Sequence, residues 1–109
     1  MIIKINEIEE KELQEFKGGE GSLLGRTFSD DNVKIMKGIL KKGSSIGYHT
    51  HENSSEIIFA LKGSAEVNYN GKILTLNENE VHYCPQGSSH GLTNLKEKPF
   101  EFYCVVPQY

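Results

Sequence analysis

The residues of this sequence that could do chemistry fall in two short segments, which hold three of its four histidines. In the first segment, one residue separates His49 from His51, and Glu56 follows shortly after. The second segment contributes His90. Imidazole nitrogen and carboxylate oxygen suit divalent ions such as zinc, nickel, iron(II) and manganese. The four residues therefore predict a site for one divalent metal ion, whose identity the residue types leave open.

Extended backbone explains how these ligands could converge. Side chains alternate between the two faces of a strand, so His49 and His51 point the same way if they share one strand. The polar stretch 52–55 is prone to turn, and it leads into the apolar run 56–62, which is typical of a strand. Glu56 can then face back toward the two histidines. A turn at 85–89 would direct His90 toward them from a third strand.

Glycine, proline and asparagine recur at fixed distances around the four ligands. The residues that complete the two segments are Gly43, Gly63, Pro85, Gly87 and Asn94. With its histidines and glutamate, each segment resembles one of the paired motifs of the cupin family. One position departs from the family pattern: Asn79 stands where the second motif usually opens with glycine. Asparagine tolerates left-handed backbone better than most residues, so the turn is still expected.

The resemblance implies a double-stranded β-helix, or jelly-roll, barrel. It also implies that one metal ion is held near a mouth of that barrel by His49, His51, Glu56 and His90. The family includes isomerases, lyases, decarboxylases and dioxygenases as well as binding and storage proteins, so it does not imply a reaction.

Strand-forming runs independently predict the all-β class. They cover residues 22–28, 33–40, 56–62, 65–69, 72–76, 81–84, 90–93 and 99–106. Asn70-Gly71, between two of these runs, is a strong hairpin signal. We expect one domain over residues 1–109, with an N-terminal arm and strands over 1–32 and the barrel over 33–106. Near Asn6 and Glu9 a capping pattern favours a helical turn.

Composition limits the partners. The net charge of −3 gives no basic surface for nucleic acid. No apolar run approaches the roughly 18 residues of a membrane span, and the N-terminus lacks the features of a signal peptide. We expect a cytoplasmic protein that binds neither nucleic acid nor membrane. Cys84 and Cys104 do not form a disulfide framework and are expected to be free, buried thiols.

Several strands are apolar on both faces, which predicts assembly. If Glu56 fixes the inner face of the run 56–62, then Ile57, Phe59 and Leu61 lie on the outer face. A second sheet covers only the inner face. A homodimer would cover the outer one, with a strand at residues 2–5 exchanged between subunits.

Three side chains are candidates for contacting a small-molecule ligand. Arg26, the only arginine, could bind a substrate carboxylate through its planar fork, or it could be a surface charge. Alternation in the run 99–106 places Glu101 and Tyr103 on one face, as a base and a proton donor if that face lines the pocket and as surface residues if it does not. His82 is interpreted as a surface or hydrogen-bonded histidine.

Two functions fit these observations. The first is a metal-dependent enzyme acting on a sugar-derived or other small organic acid, by isomerase, lyase or decarboxylase chemistry, or as a dioxygenase if the metal is iron. The second is a metal-dependent module that binds or senses a small molecule without turnover. Polar groups that converge on the metal would favour catalysis, whereas an apolar lining would favour binding.

Overall fold

The computed structural model describes residues 1–109 and is built almost entirely of strands, which confirms the all-β prediction. Ten strands follow one another along the chain: β1 (Lys11–Gln14), β2 (Ser22–Ser29), β3 (Val33–Leu40), β4 (Ser45–Thr50), β5 (Glu56–Lys62), β6 (Ala65–Tyr69), β7 (Lys72–Leu76), β8 (Val81–Cys84), β9 (Ser89–Thr93) and β10 (Phe100–Pro107). Two 3-10 turns, Ile5–Glu7 and Phe16–Gly18, complete the secondary structure. No helix is long and apolar enough to cross a membrane.

The strands form two antiparallel sheets. The larger sheet has the order β1-β2-β3-β10-β5-β8, and the smaller has the order β4-β9-β6-β7. Alternation along β10 shows how the sheets share a core: Phe100, Phe102 and Cys104 are fully buried between them, while the intervening residues face outward. Gly38 lies opposite Phe102 in β3, where a Cβ atom would come within 2.4 Å of the phenyl ring. A side chain there would collide with the core.

The predicted turns form. Asn70 and Gly71 connect β6 and β7 with φ of 51° and 87°, as a type I′ hairpin requires. Asn79 adopts φ of 67°, so asparagine does replace the usual glycine without loss of the turn. Asn94, at the end of β9, is fully buried, and its amide nitrogen donates to the carbonyl oxygens of Leu40 at 2.9 Å and Lys98 at 3.0 Å. Asn94 thereby joins the smaller sheet to the end of β3 in the larger one.

The N-terminal segment differs from the expected arm. The helical turn near Asn6 is limited to Ile5–Glu7, and residues 1–4 form no strand within the chain. Instead, β1 pairs along β2, because Leu13 can pack against the core although the residues on either side of it, Glu12 and Gln14, are polar. The chain then crosses to the smaller sheet, where Gly19 and Gly47 allow backbone to touch backbone: a Cβ atom on Gly47 would lie 2.0 Å from the carbonyl oxygen of Lys17.

The outer face of the larger sheet is apolar where β5 and β8 lie side by side, and for β5 this agrees with the sequence prediction. Phe59 on β5 is 40% exposed, and Val81 and Tyr83 on neighbouring β8 are 53% and 56% exposed. Ile57 lies opposite Tyr83 in the register of these two strands. The face therefore presents contiguous apolar side chains that the chain itself does not cover.

Candidate metal centre

Three elements bring the four predicted ligands together. His49 lies in β4, opposite His90 in β9, and His51 directly follows β4. Glu56 opens β5 in the other sheet and faces inward, as the alternation with buried Ile58 and Ala60 requires. The smaller sheet thus supplies the histidines and the larger sheet the carboxylate.

The donor atoms converge on one point. The Nε2 atom of His51 lies 3.2 Å from Nε2 of His49, 3.0 Å from Nε2 of His90 and 3.1 Å from Oε1 of Glu56, and the same Oε1 lies 2.9 Å from Nε2 of His90. Neighbouring ligands of an octahedral ion with bonds of about 2.05 Å are separated by about 2.9 Å. The cluster of His49, His51, Glu56 and His90 therefore has the spacing that a divalent transition ion requires, and it could hold one such ion.

The other nitrogen of each ring fixes its orientation. Nδ1 of His49 is 2.7 Å from the carbonyl oxygen of Gly47, to which it must donate. Nδ1 of His51 is 2.7 Å from the hydroxyl of Ser54, and Nδ1 of His90 is 2.9 Å from Nε2 of His82. With the proton on Nδ1, each ring directs an Nε2 lone pair into the cluster. Such outer partners orient metal ligands and raise their basicity.

The pKa shifts of the cluster favour the protonation states that bind a cation. Burial by itself would raise the pKa of Glu56, but the rings of His51 and His90, which can donate from Nε2 to the carboxylate while no ion is bound, outweigh burial and hold the pKa far below its usual range. Burial lowers the pKa of His49, which favours the neutral ring. A carboxylate anion beside neutral imidazoles is the protonation state that a divalent cation needs.

The cluster lies at the base of a cavity of about 200 Å³. Phe16 and two lysines, Lys17 and Lys34, line it with Thr50 and Gln108. Both ammonium groups lie over the Phe16 ring, with Nζ 5.6 Å from the ring centroid for Lys17 and 5.4 Å for Lys34. Apart from the predicted ligands, the lysines are the charged groups of this lining, so the cavity is suited to an anion.

Arg26 does not reach this cavity. It lies on the outward face of β2, where its Nη1 donates to the carbonyl oxygens of Ile8 and, at 3.4 Å, Asn6, and its Nη2 lies 3.7 Å from Glu10. The guanidinium anchors the N-terminal segment to the larger sheet. This placement replaces the expectation that Arg26 binds a substrate carboxylate.

Tyr103 and Glu101 are also outside the cavity. In β10 the inward positions belong to Phe102 and Cys104, which are fully buried, so Glu101 and Tyr103 occupy the outer face. The Tyr103 ring lies 5.9 Å from Nζ of Lys37 there. The sequence did not decide whether these two residues line the cavity or face outward. In the structure they face outward and do not contact the site.

The sequence reasoning missed the two lysines of the cavity. Lys34 shares its face of β3 with Met36, Gly38 and Leu40, which are all buried. A lysine in phase with core residues was therefore a usable signal. The sequence offered no comparable signal for Lys17. Its position depends on left-handed backbone on both sides of Phe16, at Glu15 with φ of 47° and at Lys17 with φ of 56°.

Residues 36–106 match the sequence profile of the cupin domain. The chain belongs to the cupin family. The matched residues begin within β3 and include all four candidate metal ligands.

Individual cupins are similar over nearly the whole chain. An oxalate-binding protein of Thermotoga maritima is 28% identical to this chain over an alignment that covers 97% of this chain and 93% of the relative. A crystal structure described as a predicted oxalate decarboxylase from the same organism superposes with a TM-score of 0.92 at 25% identity, covering both chains completely. The cupin domain of Schizosaccharomyces pombe Cnp3 has a TM-score of 0.81 at 13% identity, a likeness of fold alone, and covers 74% of that chain.

Proposed function

We propose that this cupin binds one divalent transition ion through His49, His51, Glu56 and His90, and uses it to hold a small organic dianion of the oxalate class. The observation that carries the proposal is the position of Lys17 and Lys34 in the cavity above the cluster. Zinc, nickel, iron(II) and manganese all suit the ligand set.

Coordination chemistry supports a chelating ligand. Four protein ligands leave two neighbouring positions of an octahedral ion available, and the two carboxylates of a short diacid can fill both. The cavity is about 200 Å³, below the roughly 300–1,000 Å³ of sites for larger molecules. A compact diacid therefore suits both the volume and the ion.

Charge supports a dianion in particular. A divalent ion and the carboxylate of Glu56 leave one net positive charge, and the two lysines add two more. A ligand with two negative charges offsets most of this field, and its binding removes like-charge repulsion between the ammonium groups. The oxalate-binding relative in Thermotoga maritima supports the same ligand class.

Replacing Lys34 with glutamine should weaken oxalate binding about tenfold, or about 1.4 kcal/mol, because the variant loses one charge facing the dianion. Calorimetric titration of oxalate into protein loaded with manganese measures this, and metal content is determined in the same samples. Lys37→Gln is the matched control, because Lys37 lies on the opposite face of the same strand. Equal oxalate affinity in both variants would refute the role of Lys34. Loss of metal in either variant would mean that its weaker binding comes from a damaged metal centre and not from the lost charge.

Decarboxylation is the second candidate function. Conversion of oxalate to formate and carbon dioxide breaks the carbon–carbon bond and consumes one proton, which the ammonium group of either lysine in the cavity could supply. The similar Thermotoga structure supports this chemistry. Formate assays on the metal-loaded protein decide between turnover and binding alone.

We also infer that two copies of the chain pair through the outer face of the larger sheet. A second copy would bring the same exposed apolar residues, Phe59, Val81 and Tyr83, against this face. A two-fold interface is self-complementary, so apolar side chains of one copy can cover those of the other without a further partner.

Tyr83→Glu should convert the dimer to a monomer, because it would bury a carboxylate in an apolar interface. Sedimentation velocity at micromolar concentration measures the change. Ile73→Glu is the control: Ile73 is 58% exposed on β7 of the other sheet and should leave the dimer intact. A wild-type monomer would contradict the inference.

A further inference from the structure

A second group of donor atoms lies on the far side of His90. A ring nitrogen of His82, Sγ of Cys84 and a ring nitrogen of His90 all lie within 4.8 Å of one another, and Nε2 of His82 faces Nδ1 of His90. All three residues are buried, and the two nitrogens are 2.9 Å apart. His82 and Cys84 are alternate residues of β8 and therefore point to the same inner face. Nδ1 of His90, which faces His82, is not the nitrogen that joins the first donor set, because that set uses Nε2.

The spacing is close to that of a tetrahedral site. With bonds of about 2.0–2.1 Å to nitrogen and about 2.3 Å to sulfur, ligand atoms lie roughly 3.3–3.6 Å apart. The two nitrogens, 2.9 Å apart, would have to separate by a few tenths of an ångström to reach this spacing. Two imidazoles and a thiolate favour thiophilic ions such as zinc and copper(I), whereas the first set, with three nitrogens and a carboxylate, also suits harder ions.

The cavity beside His82 supplies access. It has a volume of about 430 Å³, lies between the edges of the two sheets and is lined by His82 with apolar residues that include Val67 and Leu74. An ion could approach His82 from this side, where Glu80 also lines the cavity, without crossing the first centre. On the neighbouring strand, the partners of His82 and Cys84 are Ile58 and Glu56, so His82 and Cys84 lie directly beside the first centre on the inner face of β8.

We propose that His82, Cys84 and His90 form a second metal site, selective for a thiophilic ion, that shares the imidazole of His90 with the first centre. Binding displaces the thiol proton of Cys84 to solvent, and the proton on Nδ1 of His90 moves to Nε2 of the same ring, so that Nδ1 can bind the ion. If the first centre is also filled, His90 bridges the two ions as an imidazolate, and the proton that it otherwise donates to His82 leaves as well. The two sites are thus coupled through one ring.

Cobalt(II) tests the site, because it replaces zinc and gives a sulfur-to-cobalt charge-transfer band in the near ultraviolet only where a thiolate binds it. Metal-free wild-type protein titrated with cobalt(II) should develop this band. Cys84→Ser should abolish it. Cys104→Ser is the matched control, since Cys104 is the other buried thiol and lies outside the donor group, and it should leave the band unchanged.

Two further variants separate the sites. His49→Ala weakens only the first centre, so the band should persist in this variant even where cobalt content falls. His82→Leu keeps the thiol but removes one ligand, so at least about tenfold more cobalt should be needed for the same band intensity. This variant still tests the site if Cys84→Ser does not fold. No charge-transfer band in the wild-type protein, or a band that survives Cys84→Ser, would overturn the proposal without bearing on the first centre.

Discussion

Replacing His90 with alanine should lower the affinity for the first metal ion by more than about 100-fold. Loss of an outer partner of a ligand costs about 10–100-fold, and loss of the ligand itself should exceed that. His90 is fully buried and lies within 3.0 Å of both His51 and Glu56, at the middle of the donor cluster. Metal content after dialysis against a weak chelator measures the effect.

Thermal unfolding gives a second reading of the same variant. An ion at 100 times its dissociation constant stabilises the folded state by about 2.7 kcal/mol, and this increment should vanish in His90→Ala. The comparison is made with and without metal, so that the cavity left by the substitution cancels. Thr50→Ala is the control, because Thr50 is exposed beside the ligands and bonds to Ser89 instead. A metal-dependent shift of equal size in both variants would show that His90 is not a ligand.

Gly47→Ala should destabilise the protein by about 3 kcal/mol and weaken oxalate binding while metal remains bound. Its Cβ atom would lie 2.0 Å from the carbonyl oxygen of Lys17 and 2.8 Å from the carbonyl carbon of Gly18, so the backbone of this segment has to move. Phe16 and Lys17 would leave the cavity wall with it. Urea unfolding and oxalate titration measure the two effects.

Gly25→Ala provides the comparison for this variant. Gly25 also lies within a strand, but its Cβ atom would meet the flexible sulfur of Met36 at 3.0 Å, which can shift by a few tenths of an ångström. Both substitutions restrict the unfolded chain equally, so the difference between them reports the contact with Lys17. Similar unfolding curves for the two variants would mean that the segment at Lys17 is loosely held.

The sequence was informative wherever periodicity and spacing act over a few residues. Alternation in β5 predicts which side chains face inward from the position of Glu56 alone, and the structure agrees. The Asn70-Gly71 hairpin follows from the conformational preferences of two residues. The family resemblance implied that the four predicted ligands converge. Their convergence depends on the pairing of His49 with His90, and local rules could not establish this pairing.

Long-range placement decided the rest. Alternation in β10 separates Tyr103 from Phe102 but cannot say which faces the cavity, since that depends on β3 and β5 packing on either side. Arg26 was judged by its charge, yet its partners are carbonyl oxygens of a segment some twenty residues earlier in the chain. Lys17 reaches the cavity through left-handed backbone that no pattern of residue types indicates.

The division of the donor atoms between the two sheets has a mechanical consequence. Each sheet is held by its own ladder of hydrogen bonds, and at the centre only side chains span the gap between β4 or β9 and β5. An ion bound there would tie the layers together much as a disulfide does, but reversibly, and it would do so at the opposite end of β9 from the Asn94 anchor. Metal supply would then set how far the sandwich can open, and with it how readily a ligand enters.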